Sequence, residues 1–118
     1  MKVQMMIVNG YKIEPGADLS GADLSHQDLS GVDLSGAILI GANLAESNLN
    51  MAKLVGANLT GATLFGASLI EANLSKAILV NANLAYAIVI ETNLKGADRT
   101  GAILTDTGLR QSKPRRKQ

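Results

Sequence analysis

Ala17-Asp18-Leu19-Ser20-Gly21-Ala22-Asp23-Leu24-Ser25 opens a stretch, running to Gln111, in which one residue class returns at every fifth position. Nineteen such centres follow without a gap from Leu19 to Leu109, and only Val89 and Arg99 among them are not leucine. Two places before each centre stands alanine, replaced only at Gln27, Val32, Ser47, Thr92 and Thr107. The position between is mostly Asp or Asn, as at Asp18, Asp23, Asp28, Asp33, Asn43 and Asn58.

A period of five suits neither ordinary element. On an α-helix, five residues advance the face by roughly 140°, so the leucines would wind around the axis without forming a stripe. On a strand, an odd period sends successive leucines to opposite faces. All of them point inward only if five residues make one side of a coil, a short extended piece and a bend, turning the same way each time. That is a solenoid, whose rungs bury their inward residues by stacking on neighbours.

The units Ala17-Asp18-Leu19-Ser20-Gly21, Ala42-Asn43-Leu44 and Ala57-Asn58-Leu59-Thr60-Gly61 resemble the pentapeptide repeat, written A(D/N)LXX. The resemblance covers about four fifths of the chain. It implies an all-β fold, a right-handed quadrilateral parallel β-helix with four pentapeptides per coil. The central Leu and the Ala two before it would lie inside and the other three positions outside. The spacing alone gives the period; the number per coil comes from the family. Nineteen units then make just under five coils, and a rung spacing of roughly 4.8 Å gives a rod about 23 Å long. Each buried leucine contributes on the order of 1.5–3 kcal/mol against an ordering cost of about 1–2 kcal/mol per residue. Backbone hydrogen bonds between coils must therefore satisfy the rest of the main chain.

Three segments are expected: a cap over 1–16, the β-helix over 17–111, and a basic, disordered tail over 112–118. A bare solenoid end exposes leucine and unpaired backbone, so the first rung needs a cover. Met5, Ile7, Tyr11 and Ile13 supply apolar side chains for a strand or hairpin cap, with Asn9-Gly10 as its turn and Pro15-Gly16 as the bend into the repeat. At the other end Arg99 occupies an inward centre, where an unpaired buried charge costs several kcal/mol, so the coil is expected to open there. No capping helix follows. Family members form end-to-end dimers through their C-terminal coils, and the resemblance makes Ile103, Leu104 and Leu109 the candidate dimer end.

One domain is all that 118 residues and 47% apolar content allow. No window of 18 apolar residues exists, so no membrane span is expected, and Met5-Met6-Ile7-Val8 is too short for a signal sequence. A cytoplasmic location is the default expectation. Zero cysteines exclude disulfides and thiolate metal sites.

Nothing in the pattern points to catalysis, a cofactor or a metal. Asp18, Asp23, Asp28 and Asp33 sit on successive sides of a coil and point in four directions, so they cannot converge on an ion; each serves its local turn. The one histidine, His26, lies outward, and the glycines keep repeat register, not the spacing that cradles phosphate. The informative departures are apolar residues at outward positions. Ile38 and Ile40 share a side with Ile78 and Val80, with Asn58 and Thr60 between them; Ile70 lies on another side with Ile88 and Ile90; Phe65 is on a third. These eight are the candidate partner surface, because flat apolar patches on a rod call for a cover. Glu71 and Glu91 stack twenty apart, where like charges mildly repel.

The expected function is a non-enzymatic structural or protein-binding module with a protein partner. A second expectation comes from the family, whose quinolone-resistance members resemble a DNA duplex in shape and charge and engage DNA gyrase. Without the four cations of 112–118, seven of the 11 basic residues stand against 10 acidic ones, a net charge of −3, which makes weak mimicry. A third is salt-sensitive, sequence-blind attachment of nucleic acid by Lys113, Arg115, Arg116 and Lys117, disfavoured because no aromatic platform accompanies them.

Overall fold

The computed structural model describes residues 5–109. Parallel bridges link residues twenty apart in four series: Asp18, Ile38, Asn58, Ile78 and Asp98; Asp23, Asn43, Thr63, Asn83 and Ile103; Asp28, Asn48, Ser68 and Ile88; Asp33, Lys53, Asn73 and Asn93. Four pentapeptides therefore complete one coil, and the chain forms a right-handed quadrilateral β-helix. The four series define walls one to four, in that order. Leucine centres from Leu19 to Leu84 are 0–1% exposed and fill the interior with the alanines beside them.

The unit centred on Leu59 shows why five residues suffice for one side, because each of its N–H groups has a separate acceptor. Ala57 N–H closes the corner turn on Leu54 O at 3.0 Å; Asn58 N–H reaches back one coil to Ala37 O at 2.9 Å. Leu59 and Gly61 N–H donate forward to Ile78 O at 2.7 Å and Val80 O at 2.9 Å. The remaining N–H, on Thr60, has no coil above or below in reach and is taken by the Asn58 Oδ1 at 3.1 Å. Asp or Asn thus precedes the leucine because a short side-chain acceptor there satisfies the N–H two residues on. The corner itself needs a positive φ at the residue before the alanine, 67° at Gly61, which is the type II turn requirement that favours glycine.

The N-terminal cap is a hairpin of β1 (Met6–Val8) and β2 (Tyr11–Ile13), paired antiparallel with Val8 opposite Tyr11. Asn9 and Gly10 take φ of 51° and 84°, the two left-handed values of a type I′ turn. Val8 and Ile13 are the buried cap residues and Tyr11 packs partly against the core, whereas Met5 and Ile7 are about 60% exposed. Side chains alternate across a strand, so the face containing Val8 turns its neighbour Ile7 outward, contrary to the expected role of Ile7 in the cap. The Asn9 Nδ2 also donates to Asp23 O at 2.8 Å, satisfying a carbonyl of the first coil.

The coil does not open at Arg99. The bridge of Asp98 to Ile78 and the turn bond from Ala102 N–H to Arg99 O, 3.0 Å, keep the ordinary geometry. Arg99 lies near the end of the described rod, where several inward positions are no longer sealed: Val89, Leu94 and Leu109 are only partly buried as well, although Ala102 and Leu104 remain buried. Its side chain is half-buried, so the charge avoids full desolvation without a break in the wall. The ladder does end early, since among the described residues Gly108 makes no bridge to Ile88.

Candidate interaction surface

Wall one is striped. Ile38 and Ile40 form one exposed apolar rung, Ile78 and half-buried Val80 another, with the polar rung Asn58 and Thr60 between them. Where isoleucine replaces Asp or Asn, the following N–H loses its side-chain acceptor; Ile40 N–H has no hydrogen-bond partner among the described residues.

Wall three gathers its apolar residues toward one end. Its first two rungs are polar, Asp28 with Ser30 and Asn48 with Asn50, and its upper rungs carry half-buried Ile70 and exposed Ile88 and Ile90. Ile70 is tied to the rung below, its N–H donating to Asn50 Oδ1 at 2.9 Å, with the Ser68 hydroxyl bonded to the same oxygen. Phe65 stands at the end of wall two, and its ring meets that of Tyr86 edge-on at 5.5 Å and 67°. Tyr86 sits on the corner between walls two and three, where it takes a φ of 63°, and is 53% exposed. The structure thus joins Phe65 to Ile70, Ile88 and Ile90 around one corner through Tyr86, and it separates both from the wall-one stripes. Tyr86 is absent from the sequence-predicted surface; its signal is an aromatic residue at the register position that otherwise favours glycine.

Carboxylates border this region. Glu46 and Asp106 share the corner of Tyr86, and Glu71 and Glu91 occupy the next corner, all four exposed. Glu46 Oε1 lies 3.4 Å from His26 Nε2, an exposed pair. In the first coil each Asp is held below the ordinary carboxylate pKa by its own turn: the Ser20 hydroxyl and N–H hydrogen-bond Asp18, as those of Ser25 do Asp23. Asp28, Asp33 and Asp98 are lowered in the same way by Ser30, Ser35 and Thr100. No group of three or more His, Cys, Asp or Glu capable of holding a metal occurs among the described residues.

An open groove of about 430 Å³ lies between the hairpin and the first coil, lined by Met5, Met6, Ile13, Pro15 and Val32 with Glu14 and Asp33 at its edge. At the far end Leu104 is 4% exposed and Leu109 half-buried. Ile103, expected with them at the dimer end, is instead an outward residue of wall two, bridged to Asn83 and 46% exposed, because it precedes a centre and does not occupy one. The basic tail from Ser112 onward lies outside the described residues. Among the described residues no helix is long and apolar enough to cross a membrane.

The family model described as pentapeptide repeats matches in 8 copies over residues 17–52, 44–79 and 77–113. The chain belongs to the pentapeptide-repeat family. Among solved structures of that family, a pentapeptide repeat protein, Rfr23, from the cyanobacterium Cyanothece 51142 is 43% identical with a TM-score of 0.74, over 75% of this chain and 61% of its own. A pentapeptide repeat protein from the Arabidopsis thaliana thylakoid lumen is 42% identical with a TM-score of 0.50, over 79% of this chain and 68% of its own. The chain thus spans about three fifths of the first structure and two thirds of the second. A more distant likeness, 22% identical with a TM-score of 0.47, is to QnrB1, a plasmid-mediated fluoroquinolone resistance protein, over 72% of this chain and 58% of its own; it carries no argument about function. No curated protein matches the chain.

Proposed function

We propose that the chain is a non-enzymatic protein-interaction module whose β-helix presents side-wall residues to a protein partner. The observation that supports this reading is the set of large apolar residues at outward positions where the repeat elsewhere places Asp, Asn, Ser or Thr: Ile38, Ile40, Ile78, Ile88 and Ile90, each at least 36% exposed. A solenoid core places no demand on those positions, and an isoleucine before the centre forgoes the turn bond that Asn58 makes. A surface that gives up a local hydrogen bond for exposed apolar area is one that gains when it is covered. The end of the rod is a second contact: half-buried Leu94 and Leu109 would be sealed by a second copy, in a two-fold arrangement that closes on itself.

Affinity capture with the wild type and with Ile38→Asp and Ile70→Asp tests the reading. A protein partner held by the wild type and lost with one of the two substitutions supports it and assigns the wall. Identical captured proteins for all three chains would remove the walls from the account.

A further inference from the structure

We infer that the Tyr86 corner of wall three is a docking surface for a cationic amphipathic segment of another protein, a peptide with an apolar stripe flanked by lysine or arginine. This rests on the interaction-module reading and specifies its partner. Phe65 and Tyr86 pack ring edge to ring face, and Ile88 and Ile90 lie two residues apart on the strand that leaves the Tyr86 corner, with Ile70 one rung below. Rungs are separated by roughly 4.8 Å and alternate residues on a rung by about 6.6 Å, so the four exposed side chains form one patch that wraps an edge. An edge-wrapping aromatic pair beside aliphatic residues suits a helix or extended segment laid along it.

The charge around the patch chooses the occupant. Glu46 and Asp106 border it on the Tyr86 corner, and Glu71 and Glu91 on the opposite corner of the same wall. Among the described residues, neither wall three nor the Tyr86 corner carries a lysine or arginine. A second copy meeting it through the same corner would bring the same carboxylates against these, and like charges across a contact disfavour it. Anionic lipid or nucleic acid meets the same repulsion. The chain's own tail, Ser112-Lys113-Pro114-Arg115-Arg116-Lys117-Gln118, has the cations but proline as its one apolar side chain to fill an apolar patch. A partner that satisfies both halves has leucine-like residues on one face and cations on its flanks, and its cations would raise the association rate and add salt dependence.

The test is fluorescence anisotropy with a labelled peptide of leucine and lysine at helical spacing, and with two controls in which glutamate replaces the lysines or serine replaces the leucines. Two variants probe the site. Ile88→Asn with Ile90→Ser converts the rung to the sequence Ala-Asn-Leu-like pattern found elsewhere in the chain, so it keeps the wall foldable. Glu71→Lys with Glu91→Lys reverses one acidic border. The leucine–lysine peptide is expected to bind saturably, and each variant to weaken it by about tenfold or more, the scale of losing a central contact. The matching change on wall one, Ile38→Asn with Ile40→Ser, is expected to leave its affinity within about twofold. Equal binding of the glutamate peptide would show that charge does not select the occupant; equal binding of the serine peptide would show that the apolar patch is not engaged. Absence of binding, or equal loss from wall one, overturns the assignment. If the peptide fails while a captured protein is lost on Ile38→Asp, the interaction-module reading stands and only this corner is wrong; if capture is insensitive to both walls, both fail.

Discussion

Leu59→Ala and Leu94→Ala make the same chemical change at two depths of one stack, and the fold assigns them different costs. Leu59 is fully buried between Leu39 below and Leu79 above. Truncation removes three carbons, about 2.4 kcal/mol at ~0.8 kcal/mol per buried methylene. The cavity persists, because the coils on either side are pinned by Leu39 N–H to Asn58 O and Leu79 N–H to Asp98 O, both 2.7 Å, and cannot close on it. Residual cavity raises the total to about 3–5 kcal/mol, or roughly 10–20 °C in Tm for a domain of this size. Leu94 belongs to the last described coil and is already partly exposed, so it loses less transfer energy and leaves no enclosed void; about 1 kcal/mol is expected. Urea denaturation followed by circular dichroism measures both, with the slope checked for constancy. Equal costs at the two sites would refute the idea that burial in this rod is graded from the middle coils to the end.

Acid should loosen the first coil. The folded pKa values of Asp18, Asp23, Asp28 and Asp33 are lowered by their Ser hydroxyl and N–H partners, so their contribution is complete above the unfolded value near 3.8 and is lost as pH falls through the lower folded values. Replacing all four by Asn keeps an Oδ1 acceptor and should flatten the fall in Tm below pH 4 that the wild type shows; an unchanged acid profile would contradict the turn bonds as its source. Gly101→Ala places a Cβ at a φ of 72° and in collision with Asn81 Oδ1, whereas Gly41→Ala meets only the φ of 67°. Asn81 Oδ1 is the far end of an exposed side chain that can rotate away, so thermal melting should show both substitutions costing a similar ~1–2 kcal/mol, set by the positive φ they share. Ile88→Asn should cost under about 0.5 kcal/mol in urea titration, since the new side chain can accept from the Ile90 N–H; a loss of several kcal/mol would mean Ile88 is structural.

The register of the fold is legible because a leucine every fifth residue has one physical solution, and Asn9-Gly10 announced the hairpin because few residues tolerate two left-handed φ values in succession. The number of units per coil is not in the period; it appears only in the bridges between residues twenty apart. Arg99 misled because an inward charge reads as a break in the wall, and the period carries no information on which inward positions lie in a coil with none stacked on it. Ile103 misled for a simpler reason, an apolar residue one place off the centre faces out. Tyr86 escaped because corner positions are exposed in every coil, and only its ring contact with Phe65 joins two walls into one surface.

The most direct test of the account is quantitative affinity capture with the wild type and with a chain carrying Ile38→Asn, Ile78→Asn and Ile88→Asn, each an Asn where the repeat commonly has one. The account predicts an unchanged melting temperature within a few degrees and loss of a protein partner that the wild type retains. A variant that melts normally and retains the same partners would contradict the claim that the outward isoleucines serve binding.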